Sequence, residues 1–133
     1  MIVFLDANVV VYLVESMPPW GPKVAARITA LRAGGDRFGV SDLVRMECLV
    51  GPLKAGDATR VNDFTTFFSL ADVQVLAINP AVCDRAARIR AAYSFQPLDS
   101  LHLAAAVEHS CGLFLTNDAQ LARFPDVSVA VLT

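Results

Sequence analysis

The sequence predicts one α/β domain over residues 1–133, built on a parallel sheet with helices on both faces. Three observations predict it. Short continuous apolar runs such as Ile2–Leu5 read as strands buried on both sides, because a strand exposed on one face would alternate. Helical segments separate these runs along the whole chain, and strand–helix–strand alternation produces right-handed crossovers and parallel pairing. The composition, 55% hydrophobic and 18% charged in 133 residues, suffices for one core and is far too apolar for a disordered chain.

Element by element, Ile2–Leu5 is the first strand, and residues 8–15 and 22–33 read as helices, with Met17–Gly21 a turn between them. Trp20 in that turn is expected to close over apolar neighbours. Arg37–Val40 is a short strand. Ser41 can cap a helix running to about Lys54, and Asp57 can cap Ala58–Leu70. Val73–Ala77 is a strand. Asn79 caps and Pro80 opens a helix through Tyr93, proline being well suited to a first helical turn. Its stripe of Val82, Ala86, Ile89 and Tyr93 is expected to face the core. Leu98–Ser110 is an Ala-rich helix ended near Gly112. Leu113–Thr116 is a strand, a short helix follows from Asp118, and Val127–Leu132 is the last strand.

Several classes are excluded. The longest apolar run, Val9–Val14, has six residues, whereas a membrane span needs about 20. The opening residues carry no basic stretch of the secretory kind. Cys48, Cys83 and Cys111 make no CxxC pair and, with His102 and His109, no zinc set, so they read as reduced thiols of a cytoplasmic protein. With 11 basic and 13 acidic residues the chain is not a generic basic coat for nucleic acid.

Ligands of parallel sheets bind beyond the C-terminal strand ends, and acids lie there. Asp6 follows the first strand and Asp118 follows Leu113–Thr116; each has a plain alternative reading as a helix cap. Glu47 shares a helix with Leu43, Val44, Met46, Val50 and Leu53, and their spacing puts it on the apolar face, where a carboxylate is costly unless paired or metal-bound. Asp99 opens the Ala-rich helix, where the helix dipole also favours an anion. Gathered in one crevice about 5 Å apart, each ionised pair would repel by roughly 3 kcal/mol at an effective dielectric near 20. Protons or divalent cations must then relieve them. Hard oxygen donors without Cys or His suit Mg²⁺ or Mn²⁺, and such a centre suits phosphoryl-transfer hydrolysis.

These residues resemble a known family. Ile2-Val3-Phe4-Leu5-Asp6-Ala7-Asn8 is similar to the opening strand and first acid of PIN-domain nucleases. Residues Ser41 to Gly51 around Glu47 resemble their second-acid helix, Leu98-Asp99-Ser100-Leu101-His102 the third-acid helix, and Leu115-Thr116-Asn117-Asp118 the fourth-acid turn. Order, spacing and context match over nearly the whole chain. The size is similar to the VapC toxins of bacterial VapBC toxin–antitoxin pairs. The resemblance implies a three-layer α/β/α sandwich with a five-stranded parallel sheet of order 3-2-1-4-5. It also implies a Mg²⁺- or Mn²⁺-dependent endoribonuclease with Asp6, Glu47, Asp99 and Asp118 as catalytic metal ligands and Asn8 and Thr116 in support. RNA (tRNA or rRNA in many relatives), a VapB-like antitoxin and a second copy of the chain are the partners it implies.

Arg85 and Arg88 lie off the core stripe and could meet RNA phosphates, against the plainer reading of a solvated face with an Asp84–Arg88 pair. Arg45 points away from Glu47, and His102, His109 and Cys48 are given no catalytic part. A phospho-receiver domain would need a lysine after a late strand, and only Lys23 and Lys54 exist. A dehalogenase-type phosphatase would need an aspartate at position 8, which is Asn8. A PIN-like interaction module without activity has no need of Glu47 on an apolar face. Setting the four acids aside leaves nine acidic residues against 11 basic, so the net acidity belongs to the proposed site and not to the surface at large.

Overall fold

A computed structural model describes residues 1–133. The sheet has five parallel strands in the order β3-β2-β1-β4-β5, as the resemblance implied. The strands are β1 (Ile2–Leu5), β2 (Arg37–Ser41), β3 (Val73–Leu76), β4 (Leu113–Thr116) and β5 (Val129–Val131). The helices are α1 (Ala7–Glu15), α2 (Trp20–Ala33), α3 (Asp42–Ala55), α4 (Ala58–Phe68), α5 (Pro80–Tyr93) and α6 (Pro97–Glu108), and a 3₁₀ turn covers Ala119–Arg123. Helices α1 to α4 pack among themselves and α5 packs on α6, giving the layers on either side of the sheet. No helix is long and apolar enough to cross a membrane.

Local chemistry sets the boundaries. Ser41 Oγ accepts from Val44 N, Asp57 from Arg60 N and Asn79 from Val82 N, each cap as expected. Pro80 and Pro97 both stand in a first helical turn, which starts α6 just ahead of the expected Leu98. The last strand is shorter than the expected Val127–Leu132, because β5 is an edge strand whose register with β4 spans Val129 to Val131 only.

The core is one continuous cluster in which Phe4 of β1 stacks on Phe114 of β4 with ring centroids 5.1 Å apart. Trp20 opens α2 instead of lying in the expected Met17–Gly21 turn; it is half-buried and stacks on Tyr12, closing over an apolar neighbour as expected. On α5, Val82, Ala86 and Ile89 are buried and Tyr93 is half-buried.

Helix α3 differs from expectation. Its buried residues are Val44, Cys48 and Pro52, one turn apart in succession, whereas Met46, Val50 and Leu53 are 49%, 45% and 64% exposed. The physical reason is contact with α1: Cys48 Sγ lies 3.9 Å from the Ala7 carbonyl oxygen, so the Val44–Cys48 side faces inward. Glu47 therefore does not lie on a core stripe; it borders one.

Two glycines on helices test this packing with opposite signs. A Cβ at Gly21 would meet the Ser16 carbonyl carbon at 2.6 Å, in the backbone where α2 begins against the end of α1, whereas a Cβ at Gly51 would meet nothing within 4 Å. Gly21→Ala is expected to destabilise by about 1–3 kcal/mol and Gly51→Ala to stabilise by about 0.4–1 kcal/mol, read from urea midpoints.

Candidate active site

Strand β1 ends at Asp6 and its neighbour β4 ends at Thr116, so the two turns that follow them meet. Asp6 is only 4% exposed. Its Oδ1 accepts from Ala7 N at 2.8 Å, and its Oδ2 accepts from the Thr116 hydroxyl at 2.7 Å and Asn8 Nδ2 at 3.3 Å. The Thr116 oxygen in turn accepts from Asp118 N at 3.0 Å, and Asn8 Oδ1 accepts from Asn117 N at 3.0 Å. Two short side chains thus tie the first acid to the backbone that carries the fourth. Asn117 Nδ2 donates to the Tyr12 hydroxyl, extending the network to α1. Asp118 caps the 3₁₀ turn, accepting from Gln120 N at 2.9 Å.

Glu47 reaches the same end of the sheet from α3, and Asp99 stands half-buried in the first turn of α6. The Asp99 carboxyl is pushed up to about 6. Burial is the first cause, the negative charges of Asp6, Asp118 and Glu47 add to it, and His102 opposes it. Cys48 reports the same field. Burial, and then Glu47, Asp6 and Glu15, push its thiol up to about 12, so it stays protonated and unreactive. Four acids from four separate segments therefore act on one region.

Their arrangement is nonetheless open. No three carboxylate, imidazole or thiol groups stand close enough together to enclose a metal ion. Each acid other than Asp99 is turned toward a donor of its own: Asp6 to Thr116 and Ala7 N, Asp118 to Gln120 N, Glu47 to His102. In donor chemistry the set fits Mg²⁺ or Mn²⁺, being all hard oxygen, with a carboxyl whose charge its neighbours oppose. Side-chain rotation would be required for these oxygens to surround an ion.

The remaining candidates fall outside this cluster. Arg85 donates to Glu108 Oε1 at 2.6 Å, and the expected Asp84–Arg88 pair does not form; Arg85 and Arg88 both line a shallow cavity of about 290 Å³ with Tyr93, Phe124 and Asp126. Arg45 lies over the Phe68 ring, away from Glu47. His109 contacts the Ala77 carbonyl. His102 is the residue that sequence reasoning passed over. It is 1% exposed, and its Nε2 lies 2.6 Å from Glu47 Oε1. The signal was its place three residues after Asp99 on an otherwise apolar helix, which puts both on one face.

The PIN domain pattern matches residues 3–127. No curated protein sequence matches. Among solved structures, the fold is similar to a chain of VapBC2 from Rickettsia felis bound to a DNA fragment from their promoter, with TM-score 0.82 and 18% identity over 98% of both chains. It is also similar to a chain of a toxin–antitoxin complex from Klebsiella pneumoniae, with TM-score 0.73 and 22% identity, covering 97% of this chain and 96% of that one. A chain of DNA-bound VapBC from Salmonella typhimurium gives TM-score 0.72 and 16% identity over 98% of both chains. At these identities the likeness is one of fold.

Two outcomes follow from the site's geometry. Thr116→Val removes the donor to Asp6 and the acceptor of Asp118 N, and is expected to lower stability by about 1–3 kcal/mol, while Thr116→Ser keeps the hydroxyl and loses markedly less; chemical denaturation compares them. Asp99 binds its proton more tightly folded than unfolded, so stability falls as pH rises from the ordinary carboxyl value of 3.8 toward about 6 and stays lower above it. Asp99→Asn removes that penalty. It is expected to be more stable than the parent by on the order of 1 kcal/mol near neutral pH, after allowance for solvent screening, with the difference vanishing below about pH 4.

Proposed function

The chain belongs to the PIN domain family, and from that premise we propose that it is a Mg²⁺- or Mn²⁺-dependent endoribonuclease, the toxin of a toxin–antitoxin pair. The observation that carries this reading is the common action of Asp6, Glu47 and Asp118 on Asp99 at the C-terminal end of the sheet. In an enzyme whose substrate is an anion, four acids at one mouth are intelligible only with cations between them and the phosphate. Asp6, Glu47, Asp99 and Asp118 are the residues that would hold such an ion, and when bound it would supply positive charge to phosphate oxygens and assist attack by water.

The chain's own residues prepare that site. Thr116 and Asn8 fix the rotamer of Asp6 from two sides, so the acid shared by β1 and the β4 turn is set before any ligand arrives. The Gln120 N–H holds one oxygen of Asp118 and leaves the other turned free of that cap. Exposed Arg88, beside Arg85, is the basic residue proposed to meet phosphates along the RNA outside the cleft. The partners in this reading are RNA, a VapB-like antitoxin and a second copy of the chain, and the setting is the cytoplasm. The similar chains from Rickettsia felis and Salmonella typhimurium come from VapBC structures, which supports the antitoxin. A second reading, a PIN-like interaction module without activity, draws on one fact: the acids do not enclose an ion as they stand.

One experiment separates the two. Purified protein is incubated with total cellular RNA and millimolar Mn²⁺, and the cut ends are mapped by sequencing. The nuclease reading expects discrete ends that chelation abolishes and Asp6→Ala lowers by about 10²-fold or more, as loss of an oriented charge in a site of this kind does. RNA left intact by the parent protein at every Mn²⁺ concentration, with growth arrest in cells unchanged by Asp6→Ala, favours the interaction module.

A further inference from the structure

His102 is a polar ring placed where an apolar one would cost less. It is 1% exposed, lies on α6 among Leu103, Ala104, Ala105 and Ala106, and packs against Phe4 of β1 with ring centroids 5.8 Å apart. A buried imidazole needs partners for both nitrogens to offset its lost hydration. This one has a single partner. Nε2 meets Glu47 Oε1 at 2.6 Å, and Nδ1 has none. A residue kept for packing alone would be better served by leucine. What leucine cannot supply is the donor aimed at Glu47.

The partner's chemistry sets the tautomer this inference uses. An ionised carboxylate only accepts, so Nε2 donates and Nδ1 is left with the lesser burden of an unpaired acceptor. The contact spans two elements 55 residues apart in sequence. Glu47 is 31% exposed on its side chain and has no hydrogen bond to its own helix to set its rotamer; His102 is its one partner, whereas Asp6 accepts from three donors and Asp118 from Gln120 N. His102 thereby does for Glu47 what Thr116 does for Asp6.

We infer that His102 is a positioning residue for the proposed reaction: its Nε2–H holds Oε1 of Glu47 so that Oε2 is presented toward the cleft shared with Asp6, Asp99 and Asp118. This rests on the nuclease reading above, and it adds a member from the apolar side of α6 that contacts neither substrate nor ion. The imidazole stands one helical turn from Asp99, so a single buried side chain is placed to register the second acid against the third.

The test uses the full chain with three variants at one position and one control. His102→Leu keeps volume and removes the donor. His102→Gln replaces the ring by an amide whose Nε2 can donate from a similar distance. His102→Leu is also made on a Glu47→Ala background, and Asp6→Ala is the control. Mn²⁺ binding is followed by titration calorimetry, RNA cleavage by initial rates, and folding by thermal melting. His102→Leu is expected to weaken Mn²⁺ binding and lower kcat by about 10–100-fold, the range for groups that orient a metal-binding side chain, with KM for RNA changed less than kcat. His102→Gln is expected to recover most of both. On the Glu47→Ala background His102→Leu is expected to cost nothing further, and this comparison holds even if the single variant melts early. Parent-like Mn²⁺ affinity and rate in His102→Leu overturn the inference and leave the nuclease reading intact. A His102→Gln as impaired as His102→Leu at equal melting temperature overturns it too, as does an undiminished further loss on the Glu47→Ala background. A parent protein that neither binds Mn²⁺ nor cuts RNA, indistinguishable from Asp6→Ala, overturns the nuclease reading and this inference with it.

Discussion

The buried carboxylate of Asp6 is the constraint around which the rest is arranged. It stands at the end of the central strand, 4% exposed, with no cation beside it to balance its charge. A group in that position must be hydrogen-bonded or neutralised. The fold meets the requirement with the Ala7 N–H, the Thr116 hydroxyl and the Asn8 amide, and these donors come from the strand turns on either side of the central pair. The order β2-β1-β4 is what makes this possible, because it sets the ends of β1 and β4 side by side. The same two side chains, Thr116 and Asn8, then fix the backbone of Asn117 and Asp118. Holding the first acid and presenting the fourth are one piece of structure.

The acids brought near Asp6 repel one another. Asp99 has no donor facing its carboxyl, which burial first, and then the charges of Asp6, Asp118 and Glu47, raise to about 6. The others are turned aside to their own donors. In the proposed reading, a cation would offset the charge that burial and neighbours leave uncompensated. This balance explains both why the cluster is open as it stands and why its donor chemistry points to hard divalent ions.

Much of this was legible in the sequence. Apolar runs and capping residues located the strands and helices, because buried parallel strands and helix starts leave local signatures: Ser41, Asp57 and Asn79 each cap the helix they precede. Asp6 and Asp118 followed from the strand-end rule. Glu47 was singled out for a reason that does not hold, although it stands at the same end of the sheet as the other three acids. The inward side of α3 is Val44, Cys48 and Pro52, while Met46, Val50 and Leu53 face solvent, and a helical stripe read from hydrophobicity alone cannot tell a core face from an exposed apolar one. The spacing of His102 from Asp99 was legible but its partner was not, because Glu47 lies on another element and only the folded chain brings them to 2.6 Å. Arg85 likewise found Glu108, a partner on the neighbouring helix and outside the reach of local spacing rules.

The central claim is that these four carboxylates form one cation site. Crystals grown with millimolar Mn²⁺ and measured near the manganese absorption edge test it most directly. The expected result is an anomalous peak flanked by carboxylate oxygens of Asp6 and at least two of Glu47, Asp99 and Asp118, with side chains rotated from their present donors. Manganese found elsewhere on the surface while this cleft stays unchanged, at concentrations that support RNA cleavage, would contradict it.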